Sequence, residues 1–217
     1  MSDWAAHEER EVARYRDGEA RLPEAADADA RQKQLTRIGN AAAGAGLALL
    51  MQGRQSDAAG WLTQAAERYA ESLADAPPGS WGRSIGAMKA LLLAGDREGA
   101  EKAARVALAL GAAQAESPIG RYTAGFALLV LDRDEEARPL AASLRGREDF
   151  PQDVADALAT LAAGDRGYAY AIESVLESFE TREEYLEDIP VADTVMVLQE
   201  LAARRDLAAE LSSSLLP

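Results

Sequence analysis

Five glutamates, Glu173, Glu177, Glu180, Glu184 and Glu187, follow one another at spacings of 4, 3, 4 and 3. On a helix those spacings put all five carboxylates on one stripe. Residues 173–193 hold eight acidic side chains and one basic one, Arg182, so half of the chain's net charge of −14 lies in this stretch. Ile172, Val175, Leu176, Phe179 and Leu186 give the same helix an apolar face. Such a stripe is either a solvated outer face, a docking surface for a basic partner, or a set of ligands for a multivalent cation. Like charges at these spacings oppose the helix by only about 0.2–0.5 kcal/mol per pair, which packing of the apolar face offsets.

Other chemistry is scarce. Cysteine is absent, which excludes disulfides, thiolate zinc sites and a thiol nucleophile. The one histidine, His7, stands beside Glu8 and Glu9 and reads as a solvated residue of a charged arm. His7-Glu8-Glu9-Arg10-Glu11 ends in Glu where a zinc-protease motif needs a second His. No Gly-rich loop is followed by a phosphate-binding Lys, and Gly44 and Gly46, inside an Ala-rich run, read as close-packing positions. No catalytic residue, metal site or cofactor is expected. With 37 acidic against 23 basic residues, the chain is a poor ligand for a phosphate backbone, so no nucleic-acid partner is expected.

The chain of 217 residues is long enough for one large domain or two small ones, and 48 of its residues are alanine, which points to helices. The opening Met1-Ser2-Asp3-Trp4 has neither a basic nor an apolar signal region. The longest apolar run, Ala41 to Met51, has eleven residues against the roughly 20 that span a bilayer. A cytoplasmic protein with no membrane partner is expected, and 20 Arg against 3 Lys suggests a GC-rich bacterial source.

Four short stretches then set the organisation. They begin at Gly53, Gly95, Asp132 and Gly164, and each separates two apolar helical runs. Glycine supplies the left-handed residue that ends a helix, a nearby Asp or Ser can cap the next, and an Ala five positions on (Ala58, Ala100, Ala137, Ala169) lets two helices approach. The corners pair residues 39–52 with 56–75, 81–94 with 98–111, 118–131 with 135–145, and 151–163 with 166–186. Pro190 precedes a last helix over 191–204, and Pro139 should shorten its own helix. Ahead of these, Ser2 can cap a weakly amphipathic helix that ends at Gly18, with a second segment starting near Pro23.

Over about residues 39–180 this pattern resembles the tetratricopeptide family. Gly46, Leu49, Gly53, Ala58, Leu62 and Ala65 match its motif in the first copy, Leu91, Gly95, Ala100 and Ala107 in the second, and Gly125, Leu128 and Ala137 in the third. The fourth keeps Gly164 and Ala169, and the offsets of 42, 37 and 32 residues depart from the family's period of about 34. The resemblance implies an all-α, right-handed array of antiparallel helix pairs over residues 39–217 with a C-terminal capping helix, preceded by an N-terminal helical arm over 1–38. It also implies a concave groove lined by Asn40, Ile85, Lys89, Tyr122, Phe126 and Leu129, among others. That wall is apolar with one Lys, unlike the basic groove of chaperone-binding members. An open apolar groove needs cover: from the chain's own termini, which would close the array into a compact bundle, from a second subunit in a homodimer, or from an apolar ligand.

Together these features lead to a non-enzymatic, helical-repeat protein–protein interaction module of unknown partner, bound through the groove or through the acidic C-terminal helix, the latter suiting a basic partner. A narrower form is an immunity-type protein that neutralises a basic toxin. The alternative class is a small-ligand sensor or enzyme with a site inside the bundle, for which Tyr122, Arg121, Lys89 and the C-terminal carboxylates are the candidates.

Overall fold

The computed structural model describes residues 3–217, apart from the side chain of Leu186. Among them are ten α-helices and no strand, so the fold is all-α. The helices are α1 (Trp4–Arg21), α2 (Ala28–Met51), α3 (Gln55–Leu73), α4 (Trp81–Leu93), α5 (Arg97–Ala109), α6 (Pro118–Val130), α7 (Asp134–Ala142), α8 (Gln152–Ala163), α9 (Tyr168–Glu180) and α10 (Asp193–Ala203). The chain divides into two compact units. One comprises the residues up to Arg97 together with Glu184–Val191; the other comprises Glu98–Glu183 and Ala192–Leu216.

All four corners expected from sequence form. Gly53, Gly95, Asp132 and Gly164 have φ of 72°, 76°, 55° and 67°. Each closes the preceding helix with the same two hydrogen bonds: at the first corner, Gly53 N donates to Leu50 O (2.9 Å) and Arg54 N to Leu49 O (3.0 Å). The third corner does this with Asp132, since aspartate tolerates the left-handed region better than most residues. The helices after the corners bury the expected small residues: Ala58, Ala65, Ala100, Ala107 and Ala137 are wholly buried. Ala169 is not, and Tyr168 takes the inward position there. The anticipated side-chain caps are mostly unmade; Asp57 pairs with Arg54 instead of capping α3.

In the first unit α1 packs on α2, α2 on α3 and α3 on α4. Glycines set the spacing. A Cβ at Gly46 would lie 2.6 Å from Leu62, and one at Gly44 2.9 Å from Glu11, so both serve close approach as expected. The Tyr69 ring lies between Gly39 of α2 and Gly86 of α4, where added Cβ atoms would sit 2.9 and 2.8 Å from it.

Three expected boundaries move. Ser2 lies outside the described residues, and Asp3 caps α1, accepting from Ala6 N (3.1 Å). Gly18 does not end that helix: it stays helical, buried, because Ile38 packs onto it. The segment after Pro23 begins its helix at Ala28, capped by Asp27, and runs unbroken to Met51, so the 38/39 division falls inside α2. The arm is thereby a packed helix.

In the second unit α6 packs on α7, α7 on α8 and α8 on α9, with α10 against α8 and α9. Pro139 sits in a helix of only nine residues, short as expected. Arg205, at the end of α10, ties the third corner: it donates to Asp134 Oδ2 (3.0 Å) and to the Leu129 carbonyl (2.9 Å).

Candidate functional site

The acidic stripe is shorter than its spacing implies. α9 ends at Glu180, so Glu173, Glu177 and Glu180 share one exposed helical face, while Glu184 and Glu187 belong to the other unit. Two effects stop the helix. Thr181 turns its hydroxyl onto the Glu177 carbonyl (2.9 Å), and the glutamates beyond would add negative charge at the negative end of the helix dipole. Ile172, Val175, Leu176 and Phe179 form the expected buried face. Glu180 accepts a hydrogen bond from Ser213 (2.7 Å), and Arg182 lies over the Phe179 ring at 3.7 Å.

The expected groove residues divide between the two units. Ile85 and Lys89 lie on α4 of the first unit, and Ile85 is buried. Tyr122, Phe126 and Leu129 lie on α6 of the second, where residues 122–130 are buried without a break. Tyr122 and Phe126 stack with ring centres 6.0 Å apart, and Phe150 packs on Tyr122 at 5.5 Å. The reason is composition: Arg121 is the one charged residue among the thirteen of α6, and a helix so largely apolar is a core element.

Tyr122 and Tyr168 are buried phenols. Burial raises both pKa values, and the nearby Asp193 charge raises that of Tyr122 further. The Tyr168 hydroxyl has no hydrogen-bond partner. In the unfolded chain a tyrosine ionises near pH 10. Phenolate therefore forms first in the unfolded state, and stability falls as pH rises above about 10, by up to about 1.4 kcal/mol per pH unit for each of the two. Absorbance at 295 nm should show both titrating only as the helices melt. Tyr168→Phe, which removes the unpaired hydroxyl, should raise stability by about 1 kcal/mol.

His7 is partly buried against Trp4 (5.3 Å), and its pKa is lowered by burial and by Arg10. No group of three or more His, Cys, Asp or Glu among the described residues could hold a metal ion. A shallow cleft of about 480 Å³ lies at the elbow between α1 and α2; of its three cations, Arg21 and Lys33 are paired with Asp17 and Asp29, and Arg37 is the third. No described helix is long and apolar enough to cross a membrane.

The densest polar cluster is one the sequence reading missed. Glu11 of α1 is wholly buried, seated on Gly44 of α2. Arg10 Nε donates to its Oε1 (2.8 Å) and Arg14 Nη1 to its Oε2 (2.9 Å). Arg14 Nη2 also pairs with Glu187 Oε2, and Asn40 Nδ2 donates to Glu187 Oε1 (2.9 Å). Tyr69 in turn donates its hydroxyl proton to Asn40 Oδ1 (2.9 Å). The one available signal was Glu11 between Arg10 and Arg14 of the same helix; Glu187, which joins them, lies far off in sequence. Comparisons with family models, with curated proteins and with solved structures find no match to this chain.

Proposed function

We propose that the chain is a non-enzymatic interaction module of tetratricopeptide-like architecture, and that the outer face of α9 docks a basic protein partner. The observation that carries this is charge left unpaired. Several surface acids on other helices pair within a turn: Asp17 with Arg21, Asp29 with Lys33, Glu101 with Arg105, Glu135 with Arg138. Glu173 and Glu177 are exposed without a basic neighbour, Glu180 meets only a serine, and Arg182 is turned onto an aromatic ring. A face of this kind attracts and orients a cationic surface. The repeated corners support the repeat architecture. The same charge suits an immunity-type protein facing a basic toxin, a reading that a neighbouring gene for a large secreted protein would support.

The full chain, used as bait in native lysate at about 0.15 M salt, should retain a basic protein that elutes at about 0.5 M, where the Debye length has shrunk. The variant Glu173→Gln/Glu177→Gln/Glu180→Gln should lose most of that capture. Recovery of nothing, or capture indifferent to the triple substitution, would overturn the reading.

A further inference from the structure

Residues Glu184–Val191 belong to the first unit as a strap laid against its helices. Ile189 and Val191 are buried there. Glu187 is held through both carboxylate oxygens and through its main-chain carbonyl. Arg14 and Asn40 each take one carboxylate oxygen, and Arg10 Nη2 donates to the main-chain carbonyl of Glu187 (2.6 Å) and to that of Asp188 (3.4 Å). A guanidinium and an amide on a carboxylate, with a second guanidinium on the adjoining carbonyls, make a recognition set for an acidic residue in a peptide. Nothing in it depends on the strap belonging to the same chain. Arg10 and Arg14 also lie outside the stretch that resembles the repeat family.

Three observations mark the strap as a replaceable occupant. Glu187 and Asp188 both have left-handed φ, 56° and 55°, an arrangement that L-residues adopt in succession only under constraint. A peptide not anchored at both ends is free of that constraint. Secondly, Arg83 of α4 is half-buried and bonded only to the neutral oxygens of Gln32 and Thr36 (2.9 Å to Thr36), and burial lowers its pKa. Thr36 and Asn40 are four residues apart on α2, so this uncompensated cation stands about 6 Å along the helix from the Glu187 anchor. Thirdly, residues 1–97 carry 14 acidic and 12 basic side chains, so the receiving helices are close to neutral in a chain of net charge −14.

We propose that the Arg10–Arg14–Asn40 cleft is a binding site for an acidic peptide segment of a partner protein, and that the Glu187 strap is its built-in competitor, displaced when that segment binds. This surface is distinct from the α9 face and calls for a partner segment of the opposite charge.

The test uses the full-length chain and a fluorescein-labelled peptide with the sequence of residues 181–192, followed by fluorescence anisotropy. Wild type should bind it weakly, because the cleft is occupied in most molecules. Glu187→Ala should bind it at least tenfold more tightly, and adding Asn40→Ala should remove that gain. A peptide with Gln in place of the glutamate equivalent to Glu187 should bind at least tenfold more weakly. Should the alanine variant lose its helical circular dichroism, Glu187→Gln keeps an acceptor for Asn40 and gives up the charge pair; it should bind the peptide more tightly than wild type. Equal binding by wild type and by the folded strap variants overturns the proposal. So does a wild-type dimer that the peptide splits into monomers, which would make a second copy's strap the occupant.

Discussion

Phe126→Ala should lower the unfolding free energy by about 3–5 kcal/mol, the range for deleting a buried aromatic ring. The ring is wholly buried, and it stacks on Tyr122, which in turn packs on Phe150. Removing it therefore takes the support from a chain of three rings. Relaxation cannot easily close the hole, because Ala124, Ala127, Leu129 and Val130 of the same helix are wholly buried as well. Against a total stability of about 5–15 kcal/mol, the loss is large enough to shift a denaturant midpoint plainly. Phe126→Leu should cost much less, since it retains most of the volume. If the alanine variant lost less than about 1 kcal/mol, the α6 face would be a surface and not the core.

The second large effect is electrostatic. Arg10→Met/Arg14→Met strips both cations from Glu11, whose side chain is wholly buried, while those of the two arginines are 40% and 44% exposed. An isolated buried charge of this kind costs about 3–5 kcal/mol. The cost is that of the stranded carboxylate, not the worth of two half-exposed arginines. Adding Glu11→Met should therefore restore most of the stability, because an apolar side chain of similar shape replaces a buried ionic cluster at little net loss. Urea unfolding of the double and triple variants measures both. A triple variant no more stable than the double would place the loss in the strap contacts of Arg10 and Arg14 and not in Glu11.

What could be read in advance was local. The corners at Gly53, Gly95, Asp132 and Gly164 were legible because ending a helix is the business of four or five consecutive residues, and a fixed offset to a small residue follows from how two helices cross. Helix ends decided by distant neighbours were not. Gly18 was read as a stop because glycine commonly is one; Ile38 needs it as a floor, and the helix goes on. The spacing of Glu173, Glu177, Glu180, Glu184 and Glu187 fits one helix throughout, but spacing does not register the helix dipole or the claim of Arg14 and Asn40 on Glu187. Those partners stand 173 and 147 residues away, and nothing in the local pattern points to them. Of the expected groove positions, Tyr122, Phe126 and Leu129 are buried, because α6 carries a single charge, Arg121, among thirteen residues, while Asn40 and Lys89 are partly exposed.

The strap has a consequence for the order of events during synthesis. Residues 3–97 hold four complete helices and their cores, built mainly from contacts between neighbours in sequence, and helical units of that kind form quickly. Glu187 is made 90 residues later. At about 5–20 residues per second, every newly made molecule spends roughly 5–20 seconds with the Arg10–Arg14–Asn40 cleft formed and nothing of its own to put there. A ligand present at the ribosome meets that cleft before the strap does. If the proposed peptide binds there, the finished chain would retain a partner acquired as a nascent one, and its occupancy would record the history of each molecule as well as the affinities.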